Sequence, residues 1–303
     1  MKKTFYSNGK LLITGEYLVL DGAKALALPT KFGQNLIVEP GNNQIIYWKS
    51  FDQDNSVWFE DTITFEEIKN KSVTDNQNIK NTLITILHEG YLINPDFINN
   101  AEGYLVETHL SFPRNWGLGT SSTLINNIAQ WLQIDAFMLL NKSFGGSGYD
   151  IACAQNNTAI IYQLQNQKPI IANVIFSPDF SDKIFFVYLN KKQNSKSAIA
   201  NYYSKQNSIA EFLPEINSIT KAILETKDLE NFSKELQNHE TIMSQILETH
   251  TIKETLFSDF DGVIKSLGAW GGDFVMVVSK ENPTAYFKSK GYEISIPFKE
   301  MIL

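Results

Sequence analysis

The sequence predicts an α+β protein of two lobes, and three observations lead to this fold class. Segments with strand and helix character are mixed along the chain, without the regular strand–helix alternation of a parallel α/β fold. A mostly helical stretch, residues 196–258, separates a strand-rich part from two late strands. The chain has 303 residues, which is enough for two domains with a core each. We place the two domains at residues 1–178 and 179–303.

The strands are predicted from apolar runs that are bounded by turn residues. Residues 3–50 are rich in such runs, and Asp21-Gly22 is a turn dipeptide that suits a hairpin. Residues 52–78 are polar and predict an irregular excursion around one short strand. In chain order, the predicted strands lie in the two halves of "KLLITGEYLVLDGAKALALPT" and in "GQNLIVEP", "NQIIYWKS", "SVWFE", "GYLVETHLSF", "NTAIIYQL", "KIFFVYLN", "GGDFVMVVS" and "ISIPF".

The helices are predicted from apolar residues that recur on one helical face. In "NIKNTLITILHEGYL", Leu83 and Leu87 are four residues apart. In "GLGTSSTLINNIAQWLQI", glycines and hydroxyls come first and Leu124, Ile128 and Trp131 follow, which is typical of a loop that leads into a helix. The other predicted helices are "SAIANYYS", "LPEINSITKAILE" and "LENFSKELQNHETIMSQIL".

Composition and charge narrow the classes of protein to be considered. The net charge of −7 gives no reason to expect nucleic acid or an anionic membrane as a partner. Cys153 is the one cysteine, so no intramolecular disulfide and no cysteine-based zinc site can form. The N-terminus has no signal-peptide core, and no stretch approaches 18 uninterrupted apolar residues. We therefore expect a cytoplasmic protein. The expected partner is a small-molecule substrate, and the expected state is a monomer or homodimer.

Glycine-rich stretches are the main candidates for function, and they cover residues 7–17, 112–124, 141–155 and 267–274. Each could be a simple turn. The second contains a predicted phosphate-binding loop that consists of Gly117, Leu118, Gly119, Thr120, Ser121 and Ser122. Glycines let the backbone approach a ligand, and hydroxyls at the first turn of a helix favour an anion. The pattern is neither a Walker loop nor a Rossmann fingerprint, and a plain helix cap is the alternative.

Three of these stretches, residues 7–17, 112–124 and 267–274, resemble the three motifs of the GHMP kinases, a family named for galactokinase, homoserine kinase, mevalonate kinase and phosphomevalonate kinase. "NGKLLITGEYLVLDG" resembles the first motif, "GLGTSS" the "GLGSSA" phosphate loop, and "GAWGGD" the C-terminal glycine motif. "GEY", "GSGYD" and "GAWGGD" favour the phosphomevalonate kinase branch. The resemblance implies an N-terminal lobe like ribosomal protein S5 domain 2, joined to a ferredoxin-like C-terminal lobe.

The resemblance also implies roles for individual residues, with ATP and Mg²⁺ as cofactors. Asp150 takes the position of the aspartate that lies beside the acceptor hydroxyl, where it orients the acceptor and removes its proton. Lys10, from the first motif, pairs with Asp150 and offsets charge on the attacking oxygen. A turn residue and a solvated lysine are the alternatives for these two. The residues expected beside the substrate are Glu16, Tyr17, Ser147, Gly148, Gly271 and Gly272.

The sequence departs from the family pattern at three places. Asn8 replaces the usual proline before Gly9-Lys10, and the loop reads "TSS" instead of "SSA". Mevalonate kinases carry a Mg²⁺-binding glutamate between the phosphate loop and the catalytic aspartate, whereas Asp135 is the one acidic residue in positions 123–149 here. Two alternatives follow: either Asp135 binds Mg²⁺, or Ser121, the phosphates and water hold it.

The acceptor is expected to be a small anion of the mevalonate pathway. Phosphomevalonate is the first choice and mevalonate the second, and homoserine or a sugar is a further alternative. A ligand sensor without catalytic activity is the alternative of another class. The cations that could bind an acceptor phosphate are Arg114, Lys191, Lys192 and Lys196.

Aromatic residues and histidines outside the motifs carry simpler expectations. Trp48, Trp58 and Trp131 are typical core or packing residues, although Trp58 lies in the region that borders the purine in this family. His239 and His250 are predicted to lie on the surface of a helix, since the zinc-protease spacing is absent.

Overall fold

The structure is a computed structural model that describes residues 1–74, 78–193, 195–204 and 209–303. It confirms the α+β fold class, with strands and helices gathered around two separate sheets. Within the described ranges the strands are β1 (Lys3–Leu12), β2 (Ala25–Pro40), β3 (Ile45–Phe51), β4 (Val57–Thr64), β5 (Tyr104–Leu110), β6 (Ile160–Gln165), β7 (Lys168–Asn173), β8 (Ile184–Tyr188), β9 (Val263–Ser266), β10 (Phe274–Val278) and β11 (Ser295–Pro297).

The helices range in length from 4 to 19 residues. Within the same described ranges they are α1 (Phe65–Asn70), α2 (Ile79–Ile93), α3 (Asp96–Asn99), α4 (Thr120–Leu132), α5 (Ala136–Ser143), α6 (Tyr149–Gln155), α7 (Ser195–Ser204), α8 (Ile209–Glu225), α9 (Leu229–Leu247), α10 (Ile252–Leu256), α11 (Thr284–Ser289) and α12 (Phe298–Met301). Two 3₁₀ turns complete the set, Leu18–Asp21 and Ser181–Lys183.

The chain forms two compact units, each assembled from several segments. The first unit consists of Met1–Gly9, Phe32–Arg114 and Leu118–Gln155. The second unit consists of Lys10–Lys31, Asn115–Gly117 and Asn156–Leu303. The domain boundary between residues 178 and 179 stays a prediction.

The first unit has a sheet with helices packed on it. Its strands follow the order β4-β3-β5-β2, and β3 pairs with β5 in parallel while the other neighbours are antiparallel. Helices α2, α4 and α5 contribute to one apolar core with Trp48 and Trp131, which confirms the packing role predicted for these two tryptophans. Gly90 of α2 allows a close approach to α4, since a Cβ there would lie 2.5 Å from the Leu132 side chain.

The second unit contains an antiparallel sheet in the order β11-β8-β10-β9. Every residue of β8 and β10 is buried, which explains why both strands read as continuous apolar runs instead of alternating ones. In this unit Ala25–Ala27 of β2 also pairs with β6, and β6 pairs with β7.

Three sequence predictions about the elements were wrong. The run Tyr17–Leu20 does not form a strand, because the chain turns into a 3₁₀ helix at Leu18–Asp21 after β1 has ended at Leu12. The segments on either side of Thr30 form one long strand, β2, instead of two. The polar excursion holds a helix, α1, which begins with a capping box between Thr64 and Glu67.

Candidate active site

The predicted phosphate loop ends at the N-terminus of α4, in the first unit. Gly119 is the cap residue, with a left-handed φ of 99° that favours glycine, and no side chain caps the helix. Ser122 is buried and its hydroxyl donates to the Gly119 carbonyl at 2.9 Å. Ser121 is exposed and Thr120 is half-buried. The plain capping alternative therefore does not describe these hydroxyls, and the helix N-terminus presents the unpaired N–H groups of a first turn.

A cleft of about 600 Å³ lies beside this helix end in the first unit. Thr120 and Ser121 form part of its lining, and Trp58 forms another part. The indole N–H of Trp58 is buried and has no hydrogen-bond partner among the described residues. A buried donor without a partner is costly, so a ligand acceptor or a water at this position would lower the free energy of the site. The other lining residues are Gln34, Trp48, Ser50, Phe59, Ile79, Thr82, Leu83, Ile86, Thr108, Leu124 and Phe144.

Arg114 lies over the indole ring of Trp58. Its guanidinium carbon is 5.4 Å from the centre of the indole ring, and its Nε is 3.6 Å from Asp52 Oδ2. The backbone N–H of Arg114 also donates to Asp52 at 3.2 Å. Arg114 thus stiffens the tryptophan wall of the cleft, and its contact with an acceptor phosphate stays a prediction.

The glycine loop before Asp150 is open on one side. Gly145, Gly146 and Gly148 have left-handed φ values of 73°, 106° and 86°. A Cβ at Gly145 or Gly146 would meet no atom within 4 Å, so there is room for a ligand beside the loop. Ser147 and Asp150 are half-buried.

Asp150 lies in the first turn of α6, and a network of polar side chains fixes this helix. The Asp150 carboxylate accepts the N–H of Ile151 at 3.2 Å. At the other end, Gln155 donates to Asn126 of α4 at 2.9 Å, and Asn126 donates to Ser7 of β1 at 2.8 Å. The carboxylate is therefore carried on a rigid support within the first unit, as a catalytic group requires.

Asp135 caps helix α5. Its Oδ1 accepts the N–H groups of Phe137 at 2.7 Å and of Met138 at 3.0 Å. Among the residues that the structure describes, no group of three or more His, Cys, Asp or Glu side chains could hold a metal ion. Mg²⁺ binding by Asp135 or by Ser121 stays a prediction.

Lys10 lies near the end of β1, in the second unit. Its ammonium group donates to the carbonyl of Gly117 at 3.1 Å. The structure therefore brings the lysine of the first motif to the first glycine of the phosphate loop. Gly117 has a left-handed φ of 72°, which supports the presence of glycine there.

The C-terminal glycine motif is packed against residues 191–193 of the second unit. A Cβ at Gly272 would lie 2.6 Å from the Lys191 carbonyl oxygen, and one at Gly271 would lie 2.9 Å from the Gln193 amide nitrogen. The contact with the backbone requires Gly272, whereas Gly271 is favoured by its left-handed φ of 89°, and the role of both beside a substrate stays a prediction. Lys191 and Lys192 are exposed on the same segment, whereas the side chain of Lys196 lies outside the described residues.

Glu16 belongs to a buried cluster of charged groups in the second unit. Its carboxylate is 1% exposed and lies 2.5 Å from the ammonium of Lys265, which is 0% exposed. His239 Nε2 is 3.3 Å from Glu16 Oε2. Glu240 accepts the hydroxyl of Ser266 at 2.8 Å. A direct contact of Glu16 with substrate stays a prediction.

The surface position predicted for His239 was wrong. The side chain is 0% exposed, because α9 turns this face toward the loop after β1, where Gly15 donates its N–H to His239 Nε2 at 3.0 Å. Burial, with the nearby Lys265 charge, holds the pKa of His239 well below its usual value, so the ring is neutral. Sequence reasoning also gave no role to Lys265 or Glu240, and the local sequence contains no signal that would pair them with Glu16.

Tyr17, the residue after Glu16, has a left-handed φ of 59° and is 8% exposed. Its ring stacks on Tyr202 with centroids 5.3 Å apart, and the Tyr202 hydroxyl donates to Asp21 at 2.6 Å. The residue is therefore held inside the second unit, and its contact with substrate stays a prediction.

The chain was compared with protein families, curated proteins and solved structures, and the fold is identified by the solved structures alone. No protein-family model and no curated protein sequence matches the chain. Solved structures do match along nearly the whole length. The chain is similar to the Methanococcus jannaschii mevalonate kinase at 17% identity and a TM-score of 0.67, over 97% of this chain and 96% of that one.

Two further structures support the same fold. The Streptococcus pneumoniae phosphomevalonate kinase in complex with phosphomevalonate and AMPPNP matches at 16% identity and a TM-score of 0.70, over 95% of each chain. The Lactococcus lactis galactokinase complexed with galactose matches at 12% identity and a TM-score of 0.66, over 95% of this chain and 88% of that one. The chain therefore has the GHMP kinase fold. Within the described ranges, no helix is long and apolar enough to cross a membrane.

Proposed function

We propose that the protein is an ATP-dependent kinase that transfers the γ-phosphoryl group to a small anionic acceptor of the mevalonate pathway, with phosphomevalonate as the first choice. The observation that carries this proposal is the cleft of the first unit, where Thr120 and Ser121 at the start of α4 line the same space as Trp58. The GHMP kinase fold supports it independently.

The cleft has the groups that a nucleotide needs. Its lining combines apolar and aromatic side chains with the hydroxyls of Thr120 and Ser121, as is usual for small-molecule sites. The N-terminus of α4 favours phosphate, because unpaired N–H groups and the helix dipole both point there. Trp58 offers an indole face and a hydrogen-bond donor to the base. We therefore assign the phosphates to Thr120 and Ser121 and the purine to the Trp58 side.

Magnesium fits this assignment with few protein ligands. Mg²⁺ usually keeps several waters and binds through one or two protein oxygens together with substrate phosphates. The exposed hydroxyl of Ser121 is such an oxygen, and Asp135 is the alternative. The ion would supply positive charge to the phosphates when bound.

The acceptor chemistry is assigned to Asp150 and Lys10. Phosphoryl transfer depends mainly on positioning and charge stabilisation. Asp150 would orient the acceptor hydroxyl and accept its proton, and Lys10 would offset negative charge on the attacking oxygen. The presence of both residues argues against the alternative of a ligand sensor without catalysis.

The first experiment measures nucleotide binding, and its matched variant is Trp58→Phe, which removes the indole N–H but keeps an aromatic ring. Calorimetric titration with Mg-ATP should give saturable binding to the wild type and weaker binding to Trp58→Phe. Absence of binding to the folded wild type would overturn the proposed function.

The second experiment identifies the acceptor. ADP release should be measured with mevalonate, phosphomevalonate, homoserine and galactose at equal concentrations. We expect the highest kcat/KM with phosphomevalonate, followed by mevalonate. Turnover of homoserine or galactose alone would keep the kinase class and replace the acceptor.

We also propose that the protein is cytoplasmic and that it is a monomer or a homodimer.

A further inference from the structure

Asp273, the last residue of the C-terminal glycine motif, is held by its backbone and its side chain. Its N–H donates to the Lys191 carbonyl at 2.6 Å, and its Oδ1 accepts the N–H of Gln193 at 3.2 Å. Its φ is 51°, a left-handed value that is uncommon for a residue with a side chain. These contacts fix the direction of the carboxylate within the second unit.

The fixed carboxylate lies directly against Gly117. A Cβ at Gly117 would overlap the carboxyl carbon of Asp273 and would lie 2.5 and 2.6 Å from its two oxygens. The carbonyl of the same glycine accepts the ammonium of Lys10 at 3.1 Å. Gly117 therefore contacts both the carboxylate of Asp273 and the ammonium group of Lys10.

The charges of this group compensate each other. Burial raises the pKa of Asp273, and the positive charges of Lys10 and Lys192 act in the opposite direction. A partly buried carboxylate without a nearby cation would be costly. The environment of Asp273 thus depends on the ammonium group of Lys10, and the reverse dependence follows from the same electrostatic interaction.

We propose that Asp273 is a positioning residue, which holds the ammonium group of Lys10 against the Gly117 carbonyl. This inference rests on the proposed function, which assigns Lys10 to the attacking oxygen. It adds a residue that the motif resemblance left without a role. A charge that stabilises a transition state must be oriented before the reaction, and a misplacement of about 1 Å can cost roughly 10²-fold in rate.

The variant Asp273→Asn tests this role, because it keeps the shape of the side chain and removes its charge. The matched control is Asp261→Asn, at an exposed aspartate of the same unit. Two quantities are measured in each folded variant: the rate at which Lys10 is acylated by acetic anhydride, followed by mass spectrometry, and kcat with KM for ATP and acceptor.

We expect Lys10 in Asp273→Asn to be acylated several times faster than in the wild type. The kcat should fall roughly 10- to 100-fold while KM for ATP stays within about twofold. Asp261→Asn should match the wild type in all measurements. An unchanged acylation rate of Lys10 in folded Asp273→Asn would overturn the inference.

A second variant covers the case in which Asp273→Asn does not fold. Gly117→Ala displaces the Asp273 carboxylate and leaves its charge, and it should also accelerate acylation of Lys10; an unchanged rate would count against the inference. Acylation does not require turnover. If no acceptor is phosphorylated by the wild type, the proposed function fails, while the dependence of Lys10 on Asp273 is still tested.

Discussion

At the scale of single residues, the buried cluster around Glu16 shows how a charged motif residue is tolerated inside the protein. Gly15 donates its N–H to His239 Nε2, so the neutral ring carries its proton on Nδ1. Glu16 Oε2 then faces a ring nitrogen that is already an acceptor, at 3.3 Å. A proton on Glu16 would relieve this contact. Burial raises the pKa of Glu16 to about 7, although Lys265 opposes the shift.

This raised pKa predicts how stability changes with pH. Glu16 has a higher pKa in the folded protein than in the unfolded chain, so its contribution to the free energy of unfolding is fully present below about pH 4.5 and is lost as the pH rises to about 7. His239 acts with the opposite sign, because its lowered pKa destabilises the fold at acid pH. Glu240, whose pKa is also raised by burial, and Lys265 are the other charged groups of the cluster.

The variant Glu16→Gln isolates the contribution of Glu16, since His239 stays in both proteins. The free energy of unfolding of the wild type, minus that of Glu16→Gln, should decrease by roughly 1–3 kcal/mol between pH 5 and 8. Urea unfolding at several pH values measures this difference. Glu211→Gln, at an exposed glutamate, is the control and should give a difference that does not depend on pH. A flat difference for Glu16→Gln would contradict the raised pKa.

Asp150 predicts a kinetic effect at the same scale. Asp150→Asn keeps the size of the side chain and removes the proton acceptor, so kcat should fall roughly 10²-fold or more while Mg-ATP still binds. Lys10→Ala should give a similar loss, and the double variant should be little worse than either single variant if the two act together. Steady-state kinetics and calorimetry measure these quantities.

The control for this set is Asp96→Asn, at an exposed aspartate of the first unit. If Asp150 were only a turn residue, Asp150→Asn would lower the melting temperature and leave kcat nearly unchanged in the folded fraction. A kcat close to that of the wild type in folded Asp150→Asn is therefore the result that excludes a catalytic role.

At the scale of elements, the N-terminus of α4 is the part that the proposed function depends on most. Gly119 adopts a left-handed φ of 99°, which a branched side chain rarely adopts. Gly119→Val should raise the Kd for Mg-ATP at least tenfold, because the side chain both strains the loop and blocks the approach of phosphate. Ser121→Ala should weaken binding less, since the backbone donors remain.

The backbone strain needs a control of its own. Gly291 also has a left-handed φ, of 89°, and a Cβ there would meet no atom within 4 Å. Gly291→Val therefore introduces the same kind of strain at an open position outside the phosphate loop. Calorimetry should give it the Kd of the wild type for Mg-ATP. Wild-type affinity in folded Gly119→Val would remove the loop from the nucleotide site.

Some of these helices and strands could be predicted from the sequence and others could not. Helix α4 was predicted because a glycine start and an apolar stripe are both local signals. Strand β10 was predicted because its five residues are an apolar run, and the structure buries all five. Helix α1 was missed although Thr64 and Glu67 form a capping box, because the helix has six residues in a polar segment. Local patterns therefore identified elements with a strong apolar signal and missed this short helix in a polar segment.

The buried partners of the candidate site were beyond such patterns. Glu16 and His239 are far apart in sequence, and their pairing depends on how α9 packs in the second unit. The contact of Asp273 with Gly117 has the same character, since it depends on the path of residues 191–193. Tertiary packing decides these contacts, so the sequence could place the motifs but could not pair these residues.

At the scale of the whole molecule, charge sets a requirement for the proposed substrates. The protein has a net charge of −7, and both ATP and phosphomevalonate are anions. Their positive counterparts must therefore be local groups, because the overall field repels them. Lys191 and Lys192 are exposed. They belong to the segment in which the Lys191 carbonyl accepts the N–H of Asp273. This segment is where we expect the additional positive charge for the acceptor phosphate.

The variant Lys191→Ala tests this expectation. Phosphomevalonate carries a phosphate that mevalonate lacks, so the loss of a nearby ammonium group should raise KM for phosphomevalonate about tenfold and KM for mevalonate much less. Lys221→Ala, at an exposed lysine of α8, removes the same charge from the whole molecule and should change neither KM. If the overall charge dominated, both variants would raise KM for the two acceptors to similar extents. If Lys191→Ala changed KM for the two acceptors equally, a contact between Lys191 and the acceptor phosphate would be excluded. Turnover of mevalonate by the wild type without turnover of phosphomevalonate would reverse the proposed order of substrates.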